Sequence, residues 1–392
     1  MGVRPGGRLR ECGAARRARL EGAEVARCVA CKRTSPLIAE VLGLCLDCLR
    51  AGSALVEERV EAVHATTRRE AGLVERPPRS PGGVKCQCCS NQCQIGEGER
   101  GYCGVRRQQR GGLAGGTPDG AYVSWYLDAL PTNCVAGWVC PAETASGYPS
   151  WTDCQGIESG YYNLAVTYEA CNFDCLFCQN WQTRQSQAGR RTHSAESLAL
   201  AVDPRTRCIC YFGGDPGPQI EHALAASRAA LARAEDSILR ICWETNGAMR
   251  QRFLREVVEL SLASGGCVKF DVKAWHPTLH RALTGADNSA VLANLAWVAG
   301  RARERPAPPL LVASTLLVPG YVDEREVGEI AGFLASLNRD IPYSLLAFHP
   351  DCYFSDLPVT SSQHAQRCLA AAKAAGLSRV HVGNAHLLGR QH

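Results

Sequence analysis

YYNLAVTYEACNFDCLFCQNW, residues 161–181, sets a short apolar run directly before three cysteines spaced C-x3-C-x2-C: Cys171, Cys175 and Cys178. The first eight residues mix aliphatic, aromatic and β-branched side chains and read as a buried strand. The rest of the chain repeats that unit. Predicted strands recur at 207–213, 238–245, 267–273, 309–318, 343–349 and 379–384, with predicted helices at 194–202, 217–234, 249–264, 277–300, 323–337 and 361–375. Strand–helix alternation implies a parallel sheet with right-handed crossovers. Six or seven such units fall short of eightfold closure. The expected fold is therefore α/β, a partial (βα)6 TIM-like barrel preceded by Cys-rich, zinc-ribbon-like modules.

Upstream of this core, from about residue 159 to 392, the texture differs. Residues 1–27 are rich in Arg, Ala and Gly and read as a flexible N-terminus. Residues 28–50 hold two C-x2-C knuckles, and 51–85 read as a helix and a Pro-rich linker. Residues 86–158 form a Cys-, Gly- and Pro-rich accessory region with little periodicity.

Hydrophobic residues make up 46% and charged residues 21% of the 392, a globular composition with ample core material. The formal charge of +5 is small for this length and carries no nucleic-acid signal. The Arg-rich start lacks an apolar leader core, and no apolar run reaches membrane-spanning length, so the expected location is cytoplasmic. In that reducing setting, those of the 22 cysteines that fall in C-x2-C clusters read as metal ligands.

Six polar motifs fall where predicted strands end: the cysteine loop, GGDP (213–216), TNG (245–247), the Asp271/Lys273 pair, FHPD (348–351) and GN (383–384). In α/β barrels, strand C-termini are where chemistry gathers. Three thiolates capping a cluster leave one metal position open, which signals catalysis more than structure.

The loop formed by Cys171, Cys175, Phe177 and Cys178 resembles that of the radical S-adenosylmethionine (SAM) superfamily. The resemblance covers roughly 161–390. It implies a radical SAM barrel with a [4Fe-4S] cluster on the three cysteines, SAM on the fourth iron, and Phe177 near the adenine. GGDP resembles the family's GGEP, placing Gly213, Gly214 and Asp215 near the SAM ammonium. ICWETNG and KFDVK resemble the strands of pyruvate formate-lyase activating enzyme. They imply a monovalent cation on Glu244, Thr245 and Asp271, with Asn246 in the same turn, Lys273 approaching SAM, and His349 at the ribose. Residues 86–106, CQNW (178–181), 348–361 and HVGNAH (381–386) resemble the AmmeMemoRadiSam group. PTNCVAGWVCP (131–141) departs from that pattern.

The resemblance implies an oxidoreductase supplied by an external one-electron donor of flavodoxin or ferredoxin type. It would cleave SAM reductively to a 5′-deoxyadenosyl radical, which abstracts hydrogen from a substrate such as a partner protein or peptide. The contrary class is a non-catalytic Fe–S or zinc scaffold that binds a protein or nucleic acid. Cys28, Cys31, Cys45 and Cys48 can supply four thiolates to a tetrahedral zinc. Cys86, Cys89, Cys93 and Cys103 can form a second site for zinc or an auxiliary cluster, with Cys88 spare. Cys134, Cys140 and Cys154 are open between ligand and structural roles. Cys208, Cys210, Cys242 and Cys267 alternate along predicted strands and read as small core residues.

Overall fold

Each of the seven apolar runs forms a strand in the computed structural model, which describes residues 25–184, 191–235 and 237–389. An eighth strand precedes them. The sheet comprises β1 (Val123–Ala129), β2 (Tyr162–Tyr168), β3 (Thr206–Gly213), β4 (Arg240–Thr245), β5 (Val268–Asp271), β6 (Leu311–Leu317), β7 (Tyr343–Ala347) and β8 (Val380–Gly383). Strands pair in sequence order, β2 to β8 all parallel, with β1 antiparallel to β2 at one edge and β8 at the other. The order is linear, as an open barrel requires. Strand β6 is buried along its whole length, as expected where helices cover one face and the barrel interior the other.

Besides two short helices, Leu46–Ala51 and Pro141–Thr144, the α-helices are α1 (Ala54–Glu70), α2 (Ala195–Ala199), α3 (Ile220–Ala234), α4 (Gln251–Ser264), α5 (Pro277–Thr284), α6 (Ser289–Arg301), α7 (Glu324–Leu337) and α8 (Ser362–Ala374). Side-chain caps start several of them. Ser53, Ser194, Asp323 and Ser361 accept from the backbone N–H three residues on, satisfying an otherwise orphaned donor. The single helix expected over 277–300 is two, because Gly285 adopts φ +69° and ends α5 before Asn288 starts α6.

The region upstream is tied to this sheet. Strand β1 lies inside the expected accessory region 86–158, so a boundary at 158/159 falls within its hairpin with β2. Residues 133–138 then cross the open concave face. Trp138 Nε1 donates to Ser344 Oγ of β7 (3.0 Å), whose hydroxyl donates to Val135 O (2.8 Å). Trp138 also stacks on His381 of β8 (5.2 Å), and Asn133 bonds Asn384 (3.2 Å). The cysteine knuckles of 28–48 dock on the turn after β6. Tyr321 Oη accepts from Ala39 N (2.9 Å) and donates to Leu44 O (3.1 Å), while Arg50 grips Asp323 and Glu326. The flexible terminus expected over 1–27 lies, through residue 24, outside the described residues.

Candidate active site

The cysteine loop is anchored on its inner side and open on its outer side. Phe173, Asp174, Leu176 and Phe177 are buried, whereas Cys171, Cys175 and Cys178 are half-buried and face a cavity of about 630 Å³. The loop backbone bonds the end of α5 through Asp174 N to Thr284 O (2.7 Å) and Leu176 N to Leu283 O (3.0 Å). The Asp174 carboxylate reaches back to α1. Its Oδ2 lies 2.7 Å from His64 Nδ1 and 2.8 Å from Thr67 Oγ1, and its Oδ1 lies 3.8 Å from Arg68 Nη1. These positions, i, i+3 and i+4, share one helix face. Nothing local in the sequence marks that clamp.

GGDP and TNG are wired to each other and to the loop. Gly214 adopts φ +62°, and a Cβ there would stand 2.0 Å from Tyr168 O, so only glycine lets β3 turn this close to the cysteine loop. Asp215 Oδ2 accepts from Thr245 Oγ1 (2.9 Å) and Asn246 N (2.8 Å), and Oδ1 accepts from Gly217 N (2.7 Å). Burial pushes this carboxyl up, against the downward pull of those three bonds. Asn246 Nδ2 continues the chain of contacts, donating to Asn172 Oδ1 (2.8 Å) and reaching Cys171 Sγ (3.7 Å). Asp215, expected at the SAM ammonium, thus spends both oxygens on the rim itself.

The cavity is also lined by Phe177, Gly214, Asp215, Glu244, Thr245, Asn246, Asp271 and Lys273. Two expected residues are not among its lining. Gly213 backs onto Thr167, where a Cβ would stand 2.4 Å from the hydroxyl. His349 is exposed, because buried Phe348 and Thr360 exchange hydrogen bonds and lead the chain outward after β7. The carboxylates expected on a monovalent cation each have an ammonium partner: Glu244 pairs with Lys269 (2.8 Å), and Asp271 with Lys273. The other Asp271 oxygen, Oδ1, is buried with no hydrogen-bond partner. Against the downward pull of burial, Asp271 holds Lys273 above its ordinary range, and the Cys134 and Cys210 sulfurs together with Glu244 do the same for Lys269. Lys269 was missed in the sequence. Its signal was the i, i+2, i+4 spacing of Lys269, Asp271 and Lys273, which puts three charges on one face of an otherwise apolar strand.

The other cysteine groups lie apart. The sulfurs of Cys28, Cys31, Cys45 and Cys48 all fall within 4.8 Å of one another, with Cys31 and Cys45 at 3.6 Å. A tetrahedron with Zn–S near 2.3 Å places sulfurs about 3.8 Å apart, so this quartet has the dimensions of a zinc site. Among the described residues it is the one group of three or more ligand atoms that close. Cys86, Cys89, Cys93 and Cys103 are spread more widely. Their knuckle abuts the rim: Ser90 N bonds Ala248 O (2.8 Å), and Arg250 N bonds Cys88 O (2.9 Å). The Cys88 thiol, outside that quartet, accepts from Arg106 Nη2 (3.0 Å).

A family model, the radical SAM superfamily, matches residues 165–334. Residues 165–334 form a radical SAM enzyme domain. An uncharacterized protein of Methanocaldococcus jannaschii is 26% identical over 77% of this chain and 81% of its own length. Isethionate sulfite-lyase activating enzyme of Desulfovibrio desulfuricans is 33% identical over 35% of this chain, and the match spans 40% of that enzyme. A solved domain of pyruvate-formate lyase-activating enzyme from Bacteroides vulgatus is 21% identical, covers 45% of this chain and 98% of that domain, and superposes with a TM-score of 0.37. The radical SAM domain thus contains the cysteine loop and the GGDP, TNG and DVK ends. Residues 25–164 and the last strands stand outside the matched segment. Among the described residues no helix is long and apolar enough to cross a membrane.

Proposed function

We propose that this chain is a radical SAM enzyme that modifies a polypeptide partner in the manner of an activating enzyme. The observation that carries the proposal is the convergence of the three-cysteine loop with the ends of β3, β4 and β5 on one cavity. The residues present suit a [4Fe-4S] cluster with SAM. Three half-buried sulfurs share a loop, and the cavity has a volume typical of sites for cofactor-sized ligands. Cys171, Cys175 and Cys178 would hold the cluster. Phe177, Gly214, Thr245, Asn246 and Lys273 would hold SAM. When bound and reduced by an external one-electron donor, the pair would supply a 5′-deoxyadenosyl radical that takes hydrogen from the substrate.

The chain's own groups set up that chemistry. The Asn246 amide reaches Cys171 Sγ, and hydrogen bonds to cluster sulfurs tune the reduction potential. The Lys273 ammonium, 5.6 Å from the Phe177 ring centroid, would supply positive charge for the SAM carboxylate. Asp215 fixes the TNG turn against the loop, so the binding groups are preorganised. The 133–138 strap narrows the concave opening and limits solvent access. The Cys28 quartet would bind zinc and hold the N-terminal module on the β6–α7 turn in a cytoplasmic protein.

A polypeptide substrate is favoured because a curated relative acts as an activating enzyme. The test is anaerobic reconstitution of the full chain with iron and sulfide, then reduction with SAM. Equimolar 5′-deoxyadenosine and methionine are expected. An intact cluster that forms neither overturns the proposal.

A further inference from the structure

Below the SAM cavity, six cysteine side chains converge on the barrel floor. Cys210 and Cys242 are register partners on β3 and β4. Cys267 adjoins them at the start of β5, its sulfur 4.0 Å from that of Cys242. Cys208 lies one pleat lower, Cys134 comes from the segment that crosses the concave face, and Cys140 follows it just before the helix Pro141–Thr144. Together they wall a cavity of about 40 Å³ that shares Thr132, Cys134, Glu143 and Lys269 with the larger one. The six come from four separate chain segments, so strand alternation alone does not collect them.

Lys269 sits in their midst. Its ammonium, buried to 1% exposure, donates to Cys210 Sγ (2.9 Å), Cys134 Sγ (3.3 Å) and Glu244 Oε1 (2.8 Å). All three donors of the ammonium are used, two of them on sulfur. Glu244 offsets the charge of this buried ammonium, and its two remaining donors rest on sulfur, which accepts only weakly as a neutral thiol and strongly as a metal-bound thiolate. Among the described residues only the Cys28 quartet brings all its sulfurs within 4.8 Å of one another, so the floor is not a tetrahedral zinc site. Cys134, Cys210, Cys242 and Cys267, from four chain segments with two sulfurs at 4.0 Å, instead give the four thiolates of a polynuclear cluster.

We propose that the barrel floor is a second iron–sulfur site, ligated by Cys134, Cys210, Cys242 and Cys267, with Lys269 donating to its sulfurs. Cys140 and Cys208 flank it. The site adjoins the SAM cavity but does not depend on the rim cysteines.

The test starts from the full chain carrying Cys171→Ala, Cys175→Ala and Cys178→Ala, reconstituted with ferrous iron and sulfide. It is expected to retain about two to four iron per chain, with matching sulfide. Adding Cys242→Ser and Cys267→Ser should remove that iron, with secondary structure checked by circular dichroism. Adding Cys86→Ser and Cys89→Ser instead should leave it. No iron in the rim-less chain, iron indifferent to the floor substitutions, or iron lost only with Cys86 and Cys89 would each overturn the proposal. Should the floor double variant fail to fold, Lys269→Met in the rim-less chain decides. The lost donor should move the midpoint potential of the remaining cluster to a more negative value, and Lys269→Arg should restore it. An unchanged potential overturns the assignment.

Discussion

Replacing Asp174 by alanine should loosen the cysteine loop from behind. The Asp174 side chain is fully buried, and α1 supplies three groups to it: His64, Thr67 and Arg68, the last also wholly buried. Alanine leaves those donors and the Arg68 charge inside without their acceptor. Two hydrogen bonds to a charged acceptor, each worth about 1.5–3 kcal/mol, give about 3–6 kcal/mol. Breaking a buried ion pair from one side gives about 3–5 kcal/mol, and the two routes agree. For a chain of this length a loss of about 4 kcal/mol corresponds to a fall in melting temperature of about 5 °C. Asp174→Asn keeps an acceptor and should cost markedly less. The assay is calorimetry of the metal-free chain, paired with iron content after reconstitution, which should also fall for Asp174→Ala. Melting within about 2 °C of the parent with iron fully retained would refute the claim that α1 holds the loop in place.

Other perturbations have equally definite outcomes. Arg240 and Glu158 form a fully buried pair joining β4 to the accessory region, so Glu158→Ala should cost about 3–5 kcal/mol, whereas Arg240→Leu with Glu158→Met should cost far less; a double-mutant cycle by chemical denaturation checks this. Burial pushes His222 and His280 down to about 4, below an unfolded value near 6.5. The unfolded chain then binds more protons between those values, so stability must fall on acidification through that window, by about 2 kcal/mol per histidine at pH 5. His222→Gln should flatten the slope, and an unchanged slope would count against the assignment. Cys45→Ser should remove about one zinc per chain by elemental analysis and lower the melting temperature, since the quartet underpins the module docked on Tyr321; unaltered zinc would contradict it.

The parallel strands were legible because buried strands in such a sheet read as continuous apolar runs bounded by loops, and β6, LVASTLL, is the plainest case. Strand β1 was not, since VSWYLDA is an edge strand with several exposed positions inside a Gly- and Pro-rich region. The rim motifs could be placed at strand ends from order alone. Their wiring could not, because the bonds from Asp215 to Thr245 and Asn246 join residues about thirty apart. His349 shows the limit of extrapolating one residue beyond a strand: the direction after Ala347 is set by Thr360, outside the local sequence. The floor cysteines show another. Alternation put Cys208 and Cys210 on one face, but only the register of β3 with β4 brings Cys242 alongside Cys210, and only the strap adds Cys134. The His64–Asp174 clamp, 110 residues apart in the chain, left no mark in either segment.

The central claim is that Cys171, Cys175 and Cys178 hold a cluster with one iron open to SAM. Electron paramagnetic resonance of the reduced, iron-loaded full chain tests it most directly. Adding SAM should change the signal, and Cys175→Ala should abolish that change while leaving zinc bound. A signal indifferent to SAM in the unsubstituted chain, or a SAM response that survives in Cys175→Ala, would contradict the account.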